Sequence, residues 1–176
     1  MLGRHDHEVG ELLRLAAAQV PADVRSEDLL DYLDHEEWDL VLDLLGDHPG
    51  NTWQTPRFWA LLAEAATELD QDEAWFQWRC VESIQGLLRV QLTLAHDAEP
   101  LEARNQRPTW DLTGDERVAA LWIESKPTLY AGERATARLR PFVPTAWAHL
   151  AKGDRISLLG RSPGTATVIE KVPPRP

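Results

Sequence analysis

The sequence predicts an α+β chain in which an acidic helical bundle is followed by a small antiparallel β-barrel. Two observations predict this class. The spacing of apolar residues changes from helical to alternating near Gly86. The charge changes sign nearby, since residues 1–99 carry 21 Asp and Glu against 6 Lys and Arg, whereas residues 100–176 carry 8 acids against 12 bases. We therefore predict two modules with different surfaces.

The first two predicted helices have recognisable ends. Apolar residues at helical spacing between His7 and Val20 indicate the first helix, and Pro21 ends it. Ser26 is suited to an N-cap because its hydroxyl accepts a bond from the first turn. It precedes a short second helix, whose apolar stripe starts at Leu29.

Three more helices follow in the predicted bundle. Asp34 is the expected N-cap of a third helix that ends near Gly46. Thr55 and Pro56 are suited to the N-cap and first position of a fourth helix, because proline there loses no needed donor. A fifth helix begins near Asp72 and carries some of the eight Trp of the chain, which we expect to supply much of the aromatic core.

Segment 87–96 allows two interpretations. Val90, Leu92 and Leu94 alternate with polar residues, as in a strand, if Gly86 ends the helix before it. A continuation of the fifth helix through the same segment also fits. We favour the strand.

The second module reads as short strands. Residues 97–116 are polar with two prolines, which predicts a linker or long loop. Short apolar runs between Gly-containing turns then predict a small barrel over 117–172, and prolines in 173–176 predict an extended tail. The acidic helical domain accordingly covers 1–96.

The run GDRISLLGRSPGTATVIEKV resembles the end of the elongation factor Tu C-terminal-like β-barrel. Gly153-Asp154 match a turn of that family, and Gly164, Val168 and Val172 match its closing strand. The resemblance covers about 117–172, a stretch shorter than a full six-stranded barrel. It implies the barrel fold but no GTP hydrolysis, because the chain has no G-x-x-x-x-G-K-[ST] loop.

The helical half is similar to MafI-type small helical immunity proteins of bacteria. The similarity lies in EDLLDYLDHEEWDLVLDLL, where Tyr32 to Trp38 form the corner between two helices. It implies a protein that binds a toxin and blocks it, without chemistry of its own.

The acidic half contains the candidate binding residues. Nine carboxylates and no Lys or Arg lie between Arg25 and Arg57. Four of them, Glu36, Asp39, Asp43 and Asp47, fall on one predicted helix face. That face is either an ordinary solvated face or a docking surface for a basic partner. Trp in the following loop is either a contact anchor or part of local packing. The candidate partner-binding residues are Glu36, Glu37, Asp39, Asp43, Asp47 and Trp53.

Sequence features that indicate chemistry are weak. His5-Asp6-His7 and the pair Asp31 and His35 lack a third ligand at zinc-site spacing, and Cys80 has no His near it in sequence to act as a base. We therefore expect no enzyme, metal or cofactor. The single Cys and the absence of a signal peptide or a membrane-length apolar run predict a cytoplasmic protein. The net charge of −11 argues against a nucleic acid partner.

The leading functional hypothesis is an immunity or antitoxin-type protein that neutralises a basic partner through its acidic helices. The alternative is an adaptor in which the barrel binds the partner and the helices serve as scaffold. The basic residues of the second module, including Arg138 and Arg140, are available to an acidic partner or to the acidic half of the same chain. The sequence does not determine the oligomeric state.

Overall fold

The computed structural model describes residues 4–48 and 52–175, with side chains from Glu8 onward in the first helix. The chain divides into two compact units, a helical unit, Met1–Ile84, and a barrel unit, Gln85–Pro176. Helices occupy the first and a closed antiparallel β-barrel the second, which confirms the predicted α+β class.

The described residues contain five α-helices, and two of the predicted caps are present. Ser26 Oγ accepts a bond of 3.2 Å from the backbone N–H of Leu29. Thr55 Oγ1 accepts one of 3.1 Å from the N–H of Phe58, with Pro56 as the first helical residue. The helices are α1 (Arg4–Ala17), α2 (Glu27–Asp34), α3 (Trp38–Gly46), α4 (Pro56–Glu68) and α5 (Ala74–Gln85).

The corner between α2 and α3 differs from the prediction that Asp34 caps the third helix. Asp34 is the last residue of α2, and Glu37 holds the N-cap position of α3 without a side-chain bond. Glu36 adopts a left-handed backbone with φ 58°. The N–H of Glu37 bonds the carbonyl of Tyr32 at 3.0 Å, so α2 ends in a Schellman motif. This closure removes Asp34 from the start of α3.

The core of the helical unit forms where α1 packs on α3 and α4. Its buried side chains come from the predicted apolar stripes, and burial of this area drives their association. The fully buried members include Leu13, Val41, Leu42, Leu45, Phe58, Trp59, Leu62 and Ala65.

A buried charge also lies in this core. Arg79 and Glu82 of α5 form an ion pair of 3.2 Å between Nε and Oε1, and both side chains are fully buried. The guanidinium lies 4.1 Å from the ring centroid of Trp59 and 5.2 Å from that of Trp75, and it donates to the carbonyl of His48 at 2.6 Å. Stacking, pairing and hydrogen bonding together offset the desolvation of this charge.

Six strands of the barrel unit close into an antiparallel barrel in the order β1-β6-β4-β3-β7-β8, and β8 pairs with β1. The remaining two strands, β2 and β5, form a separate small sheet. The strands of the described chain are β1 (Leu87–Leu94), β2 (Leu101–Glu102), β3 (Thr109–Asp111), β4 (Glu116–Ile123), β5 (Thr128–Leu129), β6 (Arg134–Pro141), β7 (Arg155–Leu158) and β8 (Gly164–Val172).

Segment 87–96 is the strand we favoured, because Leu87–Leu94 alternates in burial and pairs with β6 and β8. The predicted extent of the barrel is therefore wrong at its start. Two strands that complete the barrel lie before residue 117, one of them inside the predicted linker 97–116. Trp110 of β3, which we expected in a loop, is fully buried in the barrel core. Strand β3 is only three residues long, with Trp110 at its centre. A segment this short does not show enough alternation to be predicted as a strand from the sequence.

A short 3-10 helix, Pro144–Trp147, covers one end of the barrel. Its Trp147 is 3% exposed and belongs to the barrel core. Pro173 and Pro174 follow β8 outside any strand, whereas Pro176 lies outside the described residues. No helix within the described ranges has both the length and the apolar character needed to cross a membrane.

Candidate functional site

A concave surface lies beside the acidic corner of the helical unit. It is an open cavity of about 500 Å³, which we call the acidic groove, lined by residues of α2, α3 and α5 and by the C-cap of α3. Apolar and aromatic side chains contribute most of its lining, and two carboxylates contribute the charge. The lining residues are Tyr32, Leu40, Asp43, Leu44, Gly46, Asp47, Trp75 and Phe76.

The floor of the acidic groove depends on the close approach of α5 to the end of α3. A Cβ at Gly46 would lie 2.7 Å from the Phe76 ring, so glycine is what allows the ring to pack there. The indole N–H of Trp75 donates to the carbonyl of Gly46 at 3.1 Å, which satisfies one of the free carbonyls at the helix end. These two contacts hold both aromatic rings in place.

The charged rim of the acidic groove lies where a helix least favours negative charge. Asp43 is in the last turn of α3, Asp47 is its C-cap, and the last turn holds no basic residue. The carboxyl end of a helix carries a partial negative charge, so an acid there costs about 0.3–1 kcal/mol at an exposed position. Both carboxylates are exposed. They create a strongly negative rim without stabilising α3.

The other predicted acids are exposed but take different positions. Asp39 accepts a bond of 2.6 Å from Gln71 Nε2. Glu36 contacts Arg14 at 3.5 Å, and its left-handed backbone places it in the corner, before α3 begins. The expected alignment of Glu36 with Asp39, Asp43 and Asp47 on one helix face is therefore wrong, because α3 begins only at residue 38.

Trp53 lies half-buried and packs inside the helical unit. Its ring makes edge contacts with His48 and Phe58, each with 5.0 Å between centroids. Burial, with the charge of Arg79, lowers the pKa of His48 below its ordinary value. The structure thus brings Asp43 and Asp47 together at the acidic groove and gives Trp53 the local packing role that we weighed as its alternative.

Sequence reasoning missed the apolar floor of the site. Leu40 and Leu44 are four residues apart and lie outside the buried stripe of α3, and Leu40 is 43% exposed. Asp43 and Asp47 have the same spacing, so an apolar row and an acidic row run side by side. These two parallel rows were the sequence pattern from which the groove could have been predicted. No sequence pattern indicated that Trp75 of α5 would contribute to it.

The acidic surface extends well beyond the groove. All nine carboxylates between Arg25 and Arg57 are exposed. Among the described residues, Arg14 contacts Glu36 and His35 contacts Asp31 at 3.3 Å, whereas the other seven have no cationic side chain within 4.0 Å. The surface therefore keeps most of its negative charge available to a ligand.

The candidate metal and nucleophile residues form no larger arrangement in the part of the chain described. That part contains no cluster of three His, Cys, Asp or Glu side chains suited to a metal ion. The side chains of His5, Asp6 and His7 lie outside it. Cys80 Sγ donates to the carbonyl of Pro56 at 3.4 Å, and burial raises the pKa of its thiol.

A scan against protein-family models and a search among curated proteins return no match for this chain. The fold itself, helices followed by a closed six-stranded antiparallel barrel, is compatible with the predicted barrel class. The similarities to the elongation factor Tu barrel and to MafI-type proteins remain predictions.

Proposed function

We propose that this chain is a non-catalytic protein-binding module that takes a basic, amphipathic segment of a partner protein into the acidic groove. The observation that carries the proposal is the rim formed by Asp43 and Asp47 above an apolar floor. Lys or Arg side chains of the partner would pair with the rim, while apolar side chains between them would contact Leu40, Leu44 and Trp75.

The energetics of α3 support this use of the carboxylates. The carboxylates of Asp43 and Asp47 destabilise the end of α3, so helix stability does not account for their position. Residues that lower the stability of their own element are candidates for a binding role. A cation at this rim would be attracted by both carboxylates and by the helix end. The seven acids that have no cationic side chain within 4.0 Å among the described residues would also accelerate encounter with a basic protein.

Within this class we propose an immunity or antitoxin-type role in a bacterial cell, in which the partner is a basic toxin. The support is the similarity of the corner between Tyr32 and Trp38 to MafI-type proteins, together with the charge of the surface around it. Such a protein acts by covering a functional surface of the toxin.

The groove can be tested with a short peptide of Leu and Lys residues and a counterpart in which Glu replaces Lys. Titration of the ¹⁵N-labelled chain should shift the amide signals of α3 and the indole signal of Trp75 with the Lys peptide only. The double variant Asp43→Lys, Asp47→Lys should weaken its binding by about tenfold or more, because it reverses the charge of the rim.

The matched control is the double variant Asp23→Lys, Glu64→Lys, which reverses two exposed acids that do not line the groove. It should bind the Lys peptide nearly as well as the native chain. If both double variants weaken binding of the Lys peptide equally, the attraction is unspecific and the binding role proposed for the acidic groove is refuted.

The toxin-directed role has its own test. The chain is co-expressed with the product of the neighbouring gene, and co-purification is compared between the native chain and the two double variants. Loss of the complex with the groove variant alone supports the proposal. An intact complex with that variant contradicts it.

The adaptor alternative draws on a different observation. In the barrel unit Arg104 lies 4.5 Å from the ring centroid of Trp122, and Arg107 lies 5.8 Å from that of Phe142, which is 50% exposed. Cations held over aromatic rings favour an acidic segment. Shifts in the barrel signals with the Glu peptide, and none in α3 with the Lys peptide, would favour this second function.

A further inference from the structure

A second cavity lies within the barrel unit, at the end covered by the 3-10 helix. Its volume is about 390 Å³, which falls in the range of small-molecule sites. We call it the barrel cavity. Its walls come from the start of β1, the end of β8, the prolines that follow β8 and the 3-10 helix, and include Leu87, Leu88, Pro144, Trp147, Val172 and Pro174.

The apolar walls contain one buried polar group that lacks a partner. Trp147 is 3% exposed, and its indole N–H makes no hydrogen bond within the described part of the chain. A buried donor left in this state costs free energy that a ligand acceptor would recover. Of the eight Trp in the sequence, Trp147 is the one that lines this cavity.

The charge of the barrel cavity comes from Lys171. Among the described residues that line the cavity it is the single charged one, and none of those residues carries a carboxylate. Its Nζ donates to the carbonyl of Ala148 at 2.6 Å and to that of Leu150 at 2.8 Å. An ammonium has three N–H donors, so one remains for another acceptor.

Lys171 and Trp147 are also near each other in the structure. The bond to Ala148 attaches the ammonium to the residue that directly follows Trp147. Both residues line the same largely apolar cavity, and each has an N–H donor that makes no hydrogen bond within the described residues. That combination suits a ligand with an anionic, acceptor-rich head and an apolar body.

We propose that the barrel cavity binds a small apolar carboxylate. The carboxylate accepts from the ammonium of Lys171 at the exposed rim, the apolar body fills the space between Leu87, Val172 and the prolines, and the indole N–H of Trp147 donates to an oxygen of the ligand. This site is separate from the acidic groove and does not depend on the function proposed for that groove.

The proposal is tested with decanoate and its neutral analogue decan-1-ol as probes of the full-length chain. Calorimetric titration measures the affinity, and ¹⁵N–¹H spectra follow the indole signal of Trp147, assigned with the Trp147→Phe variant. We expect decanoate to bind and to shift that indole signal. Absence of binding at a decanoate concentration of about 1 mM would overturn the proposal.

The Lys171→Met variant separates recognition of the head group from the shape of the cavity. It should weaken decanoate by about tenfold, because a charge-assisted hydrogen bond is lost, and leave decan-1-ol within about twofold. Equal weakening of both probes would mean that Lys171 only holds the 3-10 helix, which contradicts the assignment. Lys152→Met, an exposed lysine of the same unit that does not line the cavity, is the matched control and should change neither affinity.

The Trp147→Phe variant tests the second donor. It keeps an aromatic ring but removes the N–H, and it should weaken decanoate by about threefold to tenfold, as expected for one hydrogen bond. If the variant keeps the native affinity, the indole has no role in binding. If its spectrum shows loss of the fold, the comparison of the two probes with Lys171→Met still decides the proposal.

Discussion

The backbone of Gly86 adopts φ +90°, directly between α5 and β1. A Cβ there would lie 2.5 Å from the carbonyl oxygen of Val172 and 2.9 Å from the nitrogen of Pro174. Two constraints therefore select glycine at this position, the left-handed backbone and the close approach of the chain after β8. The sequence predicted that Gly86 ends the helix, which agrees with its left-handed backbone. The second constraint depends on a segment 86 residues later in the chain.

Gly86→Ala should destabilise the barrel unit by more than the strain of a left-handed alanine alone, which costs about 1–2 kcal/mol. The added Cβ meets backbone atoms that cannot rotate away. Native-state hydrogen exchange at the amides of β1 measures the effect on this unit by itself.

Gly114→Ala is the matched control, because Gly114 also has a left-handed backbone, with φ +98°, but a Cβ added there would meet no atom within 4 Å. Gly114→Ala should therefore show the cost of the left-handed alanine without a steric clash of the added Cβ. A cost for Gly86→Ala no greater than that for Gly114→Ala would contradict the role of the close approach.

At the scale of elements, Glu124, the residue that follows β4, connects the end of that strand to two other strands. Its carboxylate accepts two bonds of 2.8 Å from Arg89 of β1 and one of 3.0 Å from Arg138 of β6. Arg138 is 1% exposed, so it is not available to an acidic partner at the surface, contrary to what we expected from the sequence. Burial alone would raise the pKa of Glu124, but the hydrogen bonds and charges of Arg89 and Arg138 outweigh it and lower the pKa below its ordinary value.

The lowered pKa predicts how barrel stability depends on pH. A carboxyl whose folded pKa lies below its unfolded value of about 4.3 contributes its stabilisation above that value, and loses it as the pH falls through the folded pKa. Glu124→Gln should cost on the order of 3 kcal/mol near pH 7, because it removes the carboxylate charge that pairs with the buried guanidinium of Arg138. The difference between the native chain and the variant should shrink below about pH 4.

Hydrogen exchange at the amides of β4 and β6, measured over this pH range, checks the prediction. Glu116→Gln, at the exposed start of β4, serves as the control for loss of one carboxylate from the same strand. A difference between native and Glu124→Gln chains that stays constant from pH 7 to strongly acid solution would show that the network contributes nothing through ionisation.

At the scale of the whole molecule, charge is segregated along the chain, with a net of −15 in residues 1–99 and +4 in residues 100–176, from 6 minus 21 and 12 minus 8. The two proposed sites follow this division, since the acidic groove has carboxylates at its rim and the barrel cavity has an ammonium. The two proposals therefore assign ligands of opposite charge to different units.

The association of the Lys peptide with the chain should depend strongly on salt. Between ionic strengths of about 0.01 M and 0.15 M the screening length falls from about 30 Å to about 8 Å, so the field of the distant acids is lost. We expect the association rate constant to fall by about tenfold or more, while the dissociation rate changes little. Stopped-flow measurements with the native chain and the Asp43→Lys, Asp47→Lys variant provide the test. An association rate constant of the native chain that does not change with salt would contradict electrostatic steering of the peptide.

The sequence by itself determined the features that arise from neighbouring residues. Apolar spacing located the five helices, the hydroxyls of Ser26 and Thr55 located two helix starts, and Gly86 marked the change to strands. These features depend on backbone propensity and side chains within one turn, so a local pattern is enough.

Only the tertiary structure decided which distant segments meet. Trp110 became a core residue because β3 pairs with both β4 and β7, and the acidic groove exists because Trp75 and Phe76 pack against the end of α3. Barrel closure, groove and cavity all depend on contacts between residues far apart in the chain. Their free energy comes from burial and pairing in three dimensions, which no local spacing records.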